Sequence, residues 1–284
     1  MTAPLTRFVP SPTGRLHLGH AHAAASVFGF AAEHEGTALL RIEDIDHTRC
    51  HAEFTDGIYE DLAWLGFNWP SPVRVQSEHY NDYAKVTIAL IERGLAYPCT
   101  LSRTQLKSGK RTPRPDRFLH RETARICEKV RQAMRYKTPD LPFAIRLNLE
   151  AALKRVPDRL SYQDTGAQLN AWPSLQSWAN STRPDPVIAR RDISASYHIA
   201  VTHDDHIQDI THIVRGADFI DQTPLHVLIQ HLMGWNTPIY HHHALITDAA
   251  GHKLSKTARD QTIQSLRISG TPPADVLSSA KAAL

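Results

Sequence analysis

Residues 5–20 read LTRFVPSPTGRLHLGH, placing a short apolar run, a Pro/Gly turn and the start of a helical repeat in direct succession. Leu5 to Pro10 is expected to form a buried strand. Beyond the turn, Leu18, Ala21, Ala25 and Phe28 recur at helical spacing. A strand that passes through a tight loop into a helix aims backbone N–H groups, and the positive end of the helix dipole, at whatever lies beyond the strand's carboxyl end. Phosphates favour such a place, and Gly14 and Gly19 allow close approach. His17 and His20, three residues apart on the turn, can donate hydrogen bonds to phosphate oxygens as charge builds during attack.

The pattern repeats downstream. Thr37 to Ile42 (TALLRI) is a second strand, and Phe54, Ile58, Leu62 and Leu65 mark one face of a helix that Gly66 can stop. A further helix fits Glu78 to Arg93. Strands and helices alternating at these lengths predict an α/β fold with a parallel sheet covered on both sides. From about Thr100 to Pro184 the pattern loosens, with prolines at 113, 115, 139, 142, 157, 173 and 184, and this stretch reads as an insertion. Pro186–Arg190, Tyr197–Val201 and Ile210–Val214 are then strand candidates. Leu225, Leu228, Ile229 and Leu232 mark a helix ending near Gly234, followed by the strand-like IYHHHALIT from Ile239 and the polar loop GHKLSKTARD. The expected organisation is a first catalytic half over 1–97, an insertion over 98–185, a second half over 186–238 and a closing region over 239–284.

The chain has 284 residues, 42% hydrophobic and 21% charged, enough to bury a full core. No apolar run approaches bilayer length and the start lacks a signal-like segment, so a cytoplasmic protein with no membrane partner is expected. Cys50, Cys99 and Cys127 sit in no CxxC, and reduced thiols are expected. A net charge of +3 is mild, but its distribution is not: between Arg103 and Lys137 twelve Lys/Arg face three Asp/Glu, leaving +9 in one segment. Such a segment can track a phosphate backbone, although a solvated basic helix has the same composition.

A second lysine-bearing motif, Lys253-Leu-Ser-Lys256, lies far from HLGH in sequence but after the last sheet element. A loop closing two lysines over a triphosphate would stabilise the transferring phosphate and the leaving pyrophosphate. The pair HLGH and KLSK resembles the HIGH and KMSKS signatures of class I aminoacyl-tRNA synthetases. TRFVPSPTGRLHLGH, LLRIEDIDHTR, YHIAVTHDDHIQDITHIVRGADF and GHKLSK are similar to the catalytic domain of glutamyl-tRNA synthetases over nearly the whole chain. The long helical anticodon-binding region of a full glutamyl synthetase is absent. The shortened form resembles the glutamyl-queuosine tRNA(Asp) synthetases, and Val201 stands where full glutamyl synthetases usually have asparagine.

This resemblance implies a Rossmann-type class I sheet interrupted by an α+β insertion, with a short stem-contact-like C-terminal region. It implies activation of L-glutamate with ATP and Mg²⁺, and transfer to the queuosine base of tRNA(Asp), by a chain expected to be monomeric. His17, His20, Lys253 and Lys256 are implied as catalytic groups, with His17, Gly19, His20 and Lys256 on ATP. Arg7, Ser11, Glu43, Tyr197 and Arg215 are implied around glutamate, whose two carboxylates and one ammonium call for guanidinium forks and a carboxylate. The family's zinc site is not expected: Cys99 is its remnant, and Leu101 stands where the second cysteine would be. His203/His206 and His241/His243 have spacings that can bind metal, but the first pair falls on a segment that is structural in the family. The rival readings are a minimal glutamyl synthetase charging a tRNA 3′ end, a small-molecule nucleotidyltransferase using the same HxGH chemistry without RNA, which the RIED and VRGAD segments disfavour, and a catalytically silent RNA-binding paralogue.

Overall fold

Strand β1 (Leu5–Phe8) pairs in parallel with β2 (Thr37–Ile42), and β2 with the two-residue β3 (Arg74–Val75), in a computed structural model of the chain. It describes residues 3–108, 110, 120–133, 141–157, 160–166, 175–182, 184–193, 195–245 and 261–282. Helices α1 (Leu18–Glu33), α2 (Ala52–Trp64) and α3 (Tyr80–Glu92) follow the strands as the alternation predicts. Ala21, Ala24, Val27 and Ala31 form the buried stripe of α1, one position away from the stripe read in sequence; small side chains there let the helix settle on the sheet. Phe28, expected in that stripe, stacks at the edge on Phe67 with ring centroids 4.8 Å apart.

The interruption is a second, antiparallel sheet. Strands β4 (Ala96–Cys99), β5 (Ala144–Leu147) and β6 (Val187–Ala189) pair in that order. Between them lie the short α4 (Arg103–Lys107), α5 (His120–Ala133), α6 (Leu149–Leu153) and α7 (Leu175–Ser181). The stretch 186–190 is thus a strand of this sheet, and parallel pairing resumes only further on.

Residues 197–201, expected as a strand, open helix α8 (Tyr197–Ile207). The Ser196 side chain caps it, accepting from Ile199 N at 3.3 Å. Ile199 through Asp205 are all buried, polar residues included, so the segment shows neither helical nor alternating hydrophobicity. Strand β7 (His212–Gly216) then pairs in parallel with β8 (Ile239–His243), with α9 (Thr223–Met233) between them. β7 lies beside β1, tied by Thr211 N to Leu5 O at 3.0 Å and by the Thr211 hydroxyl to Leu5 N at 2.8 Å. Helices α10 (Ile263–Ile268) and α11 (Pro273–Ala282) return to the first half, where Val276 and Ala280 join the core beneath α1. Among the described residues no helix is long and apolar enough to cross a membrane.

Candidate active site

The loop after β1 delivers HLGH to the start of α1, where the two histidines cap the helix reciprocally. His17 Nδ1 accepts from Gly19 N at 3.1 Å, and His20 Nδ1 accepts from His17 N at 3.2 Å. A ring nitrogen that accepts carries no proton, so each neutral imidazole has its N–H at Nε2 and is poised as a donor. Gly19 is required, because a Cβ there would meet the His17 ring at 2.9 Å. The far side of the turn is clamped by the C-terminal region: Thr262 bridges His17, and Ile263 N donates to Leu16 O at 2.8 Å. Lys253 and Lys256 lie outside the described residues.

Arg7, on β1, is buried against α8. Its Nε and Nη2 bond the two Asp205 carboxylate oxygens at 2.8 and 3.2 Å, and Arg41 Nη2 shares Asp205 Oδ1 at 2.8 Å. Asp204, the neighbouring residue, accepts from Gln76 Nε2 and the Tyr83 hydroxyl, each at 2.9 Å, and pairs with Arg74. Burial alone would raise both carboxyls, but their cationic and hydrogen-bonding partners hold them below the usual range. The two aspartates therefore anchor α8 to β1, β2 and the β3 region, and they orient Arg7.

Glu43 follows β2 and takes a hydrogen bond from Ser11. Burial pushes its carboxyl up to about 7, against the pull of Ser11, Arg49, Arg41 and Arg7. Arg215, at the end of β7, is 7% exposed and held on three sides: Nε to His242 Nε2 at 3.2 Å, Nη1 to His226 Nδ1 at 3.2 Å and Nη2 to Thr223 Oγ1 at 2.6 Å. Its guanidinium also lies over the Tyr240 ring, 5.1 Å from the centroid. Tyr197 and Val201, four residues apart, share one face of α8.

Arg7, Ser11, His17, Gly19, His20, Glu43, Tyr197 and Arg215 all line one cavity of about 460 Å³. Two guanidiniums, a carboxylate and the HLGH turn thus border one continuous space. It offers acidic groups the Arg215 guanidinium, with Arg7 beside it giving its Nε/Nη2 fork to Asp205; it offers an amine one carboxylate, and phosphates a helix start with two imidazole donors. Val201, Asp218, Phe219, His22 and His243 complete the wall. Val201 is marked by its departure from the family's usual asparagine, Asp218 and Phe219 lie in the VRGADF stretch of the resemblance, and His243 has metal-like spacing; His22 carries no signal in the sequence.

The histidines considered for metal have other partners. His203 Nδ1 lies 3.1 Å from Asp204 Oδ1, and His206 stacks on Trp235. His241 Nδ1 meets the Thr165 hydroxyl, while His243 Nδ1 donates to Ala244 O at 2.8 Å. Cys99 is buried in β4 and Cys127 in the core cluster beneath α5. Among the described residues, no group of three or more His, Cys, Asp or Glu side chains is arranged to hold a metal ion.

Residues 5–280 match the family model described as tRNA synthetases class I (E and Q), catalytic domain. A glutamyl-Q tRNA(Asp) synthetase from Rhodobacter capsulatus is 36% identical over 279 residues, covering 96% of this chain and 98% of that protein. A glutamate–tRNA ligase from Coprothermobacter proteolyticus is 34% identical over 94% of this chain, which spans only 56% of that longer protein. The fold is similar to that of a glutamate tRNA ligase from Elizabethkingia meningosepticum, in complex with its amino acid, with a TM-score of 0.74 at 24% identity. That similarity covers 98% of this chain and 60% of the ligase. With the family model matched across nearly its entire length, the chain belongs to the class I tRNA synthetases of the glutamate and glutamine group.

Proposed function

We propose that this chain is a ligase that activates L-glutamate with ATP and transfers the glutamyl group to the queuosine base of tRNA(Asp). The observation that carries the reading is the cavity, in which Arg7, Arg215, Glu43 and Tyr197 face the HLGH turn across one continuous space. Near-complete coverage of the short glutamyl-Q relative, against about half of a glutamate–tRNA ligase, supports the anticodon base as acceptor.

The glutamate α-carboxylate oxygen attacks the α-phosphorus of ATP in line. The bond to the bridging oxygen breaks, and pyrophosphate departs with the electron pair. The adenylate's carbonyl is then attacked by a hydroxyl of the queuosine ring, releasing AMP. Positioning and charge stabilisation supply the rate. Glu43 as carboxylate holds the ammonium, and Arg215 and Arg7 orient the acidic groups with Ser11 and Tyr197. His17, Gly19 and His20 receive the phosphates at the start of α1, joined by Lys253 and Lys256 from the polar loop. Mg²⁺ would arrive with the nucleotide and screen its phosphate charge. The protein works as a cytoplasmic monomer in this reading, and the inserted unit, read in sequence as 98–185, takes in the whole β4–β5–β6 sheet from Ala96 to Ala189 and separates the catalytic halves.

Glutamate-dependent ATP–pyrophosphate exchange, followed by labelled-glutamate transfer to queuosine-containing tRNA(Asp), queuosine-free tRNA(Asp) and tRNA(Glu), tests the proposal. Exchange with labelling of the queuosine form alone is expected. Labelling of tRNA(Glu) would make the chain a minimal glutamyl synthetase, and absence of exchange with every partner would make it a silent RNA-binding paralogue.

A further inference from the structure

Asp164 lies in the proline-rich stretch between β5 and β6, far in sequence from the elements that build the cavity. Yet residues 163–165 run beside β8 as an added parallel edge: Tyr240 N donates to Gln163 O at 2.8 Å, and Thr165 N to Tyr240 O at 2.9 Å. The approach is so close that a Cβ on Gly166 would meet the His242 carbonyl oxygen at 2.2 Å. Asp164 Oδ1 accepts from Gly166 N at 3.0 Å and His242 N at 3.2 Å, which leaves Oδ2 for His242 Nδ1 at 2.5 Å. The His242 side chain is fully buried and that of Asp164 is 3% exposed.

The protons in this chain follow from geometry. Two groups meet His242 Nε2, Arg215 Nε at 3.2 Å and the Thr223 hydroxyl at 3.0 Å; arginine only donates, so Nε2 carries no proton and can accept from both, and the His242 N–H is the Nδ1–H given to Asp164. By the same logic, His226 accepts from Arg215 at Nδ1 and donates from Nε2 to His198 Nδ1 at 3.0 Å. Both imidazoles are therefore neutral, as is Thr223, and the charge of Arg215 is not cancelled by these three contacts. They occupy one N–H on each of its nitrogens, and among the described residues the second N–H on each terminal nitrogen has no partner in this network, which suits it to a ligand carboxylate.

We propose that Asp164 and His242 are positioning residues for substrate recognition: Asp164 fixes the His242 tautomer that turns an acceptor to Arg215, and this aims the guanidinium's remaining N–H groups into the cavity. The inference rests on the glutamate reading for its substrate, but not for its proton arrangement. In Asp164→Asn, an amide nitrogen must replace one carboxylate oxygen. If it replaces Oδ1 it faces two backbone N–H donors. If it replaces Oδ2 it forces His242 into the other tautomer, setting Nε2–H against Arg215 Nε–H. Two further variants separate the bonds. His242→Gln places a carbonyl oxygen within reach of Arg215 and gives up Asp164; His242→Asn reaches Asp164 but not Arg215.

In glutamate-dependent pyrophosphate exchange, Asp164→Asn and His242→Asn should each raise the glutamate KM about tenfold, with the ATP KM unchanged, while His242→Gln stays within about threefold of wild type. Histidine ¹⁵N NMR should find His242 protonated at Nδ1 in the wild type and shifted toward Nε2 protonation in Asp164→Asn. A purely structural stitch would lower thermal stability in all three variants without separating the two KM values, and that result overturns the proposal. Absence of exchange in the wild type would remove the glutamate reading and leave the NMR result to decide the relay, which an Nε2-protonated wild-type His242 would overturn.

Discussion

His17 and His20 cap the same helical turn for each other, each giving its Nδ1 to a backbone N–H and keeping its proton at Nε2. One pair of side chains thus holds the helix start and faces the cavity, so a single substitution mixes two effects. His20→Ala should lower the pyrophosphate-exchange rate about a hundredfold and cost about 1 kcal/mol in urea unfolding. His20→Asn, whose amide oxygen can stand in for Nδ1, should recover most of the stability but not the rate. A His20→Asn protein as fast as wild type would remove His20 from the chemistry.

Glu43 gives the site a pH dependence of definite sign. Its carboxyl is raised to about 7 by burial, so the ionised form that can hold an ammonium prevails only above that pH. The glutamate KM should therefore rise about tenfold as the pH falls from 8 to 6, about fivefold of it over the unit below the midpoint. Glu43→Gln should show a high glutamate KM across the range, with little pH dependence. Initial-rate exchange measurements at fixed saturating ATP check both expectations.

Asp205 pairs with two buried guanidiniums, Arg7 at 4% exposure and Arg41 at 0%, and offsets one of their two charges. Asp205→Asn leaves them facing an amide in a space closed to water. A loss of about 3–5 kcal/mol in chemical denaturation is expected, since breaking a buried pair strands its charge. Retention of wild-type stability would mean that the two arginines tolerate their mutual repulsion.

Helix α5 carries Arg121, Arg125 and Lys129 at four-residue spacing, all exposed and on one face. Replacing the three with glutamine should weaken tRNA binding and flatten its dependence on salt, with a log–log slope reduced by about 3. Pyrophosphate exchange without tRNA should stay at the wild-type rate. Filter binding at several salt concentrations, run beside exchange, distinguishes a phosphate contact from a solvated helix face.

The parts legible in sequence are those whose signals are local. HLGH follows an apolar run through a Pro/Gly turn, and Glu43 directly follows the strand TALLRI; chain direction alone carries them toward the same edge of a parallel sheet. Residues 197–207 were illegible because seven consecutive buried residues, from Ile199 to Asp205, erase the period that distinguishes helix from strand. Metal-like spacing singles out His241 and His243, whereas strand alternation leaves these two partly exposed and buries Tyr240 and His242. Asp164 had no signal at all. Its partner lies 78 positions away, and such a pair appears only once the backbone has been folded.

The ion pair between Arg7 and Asp205 has a consequence for how this pocket could change over time. A guanidinium that both faces the cavity and ties β1 to α8 serves recognition and architecture at once. Any lineage drifting toward an uncharged substrate would have to replace it together with Asp205 and re-accommodate Arg41, because each single replacement strands a charge in the core. Preference for an acidic substrate is in that sense locked in by folding, and laboratory evolution of specificity in this scaffold should begin at Val201 and Phe219, which border the same space and strand no charge when replaced.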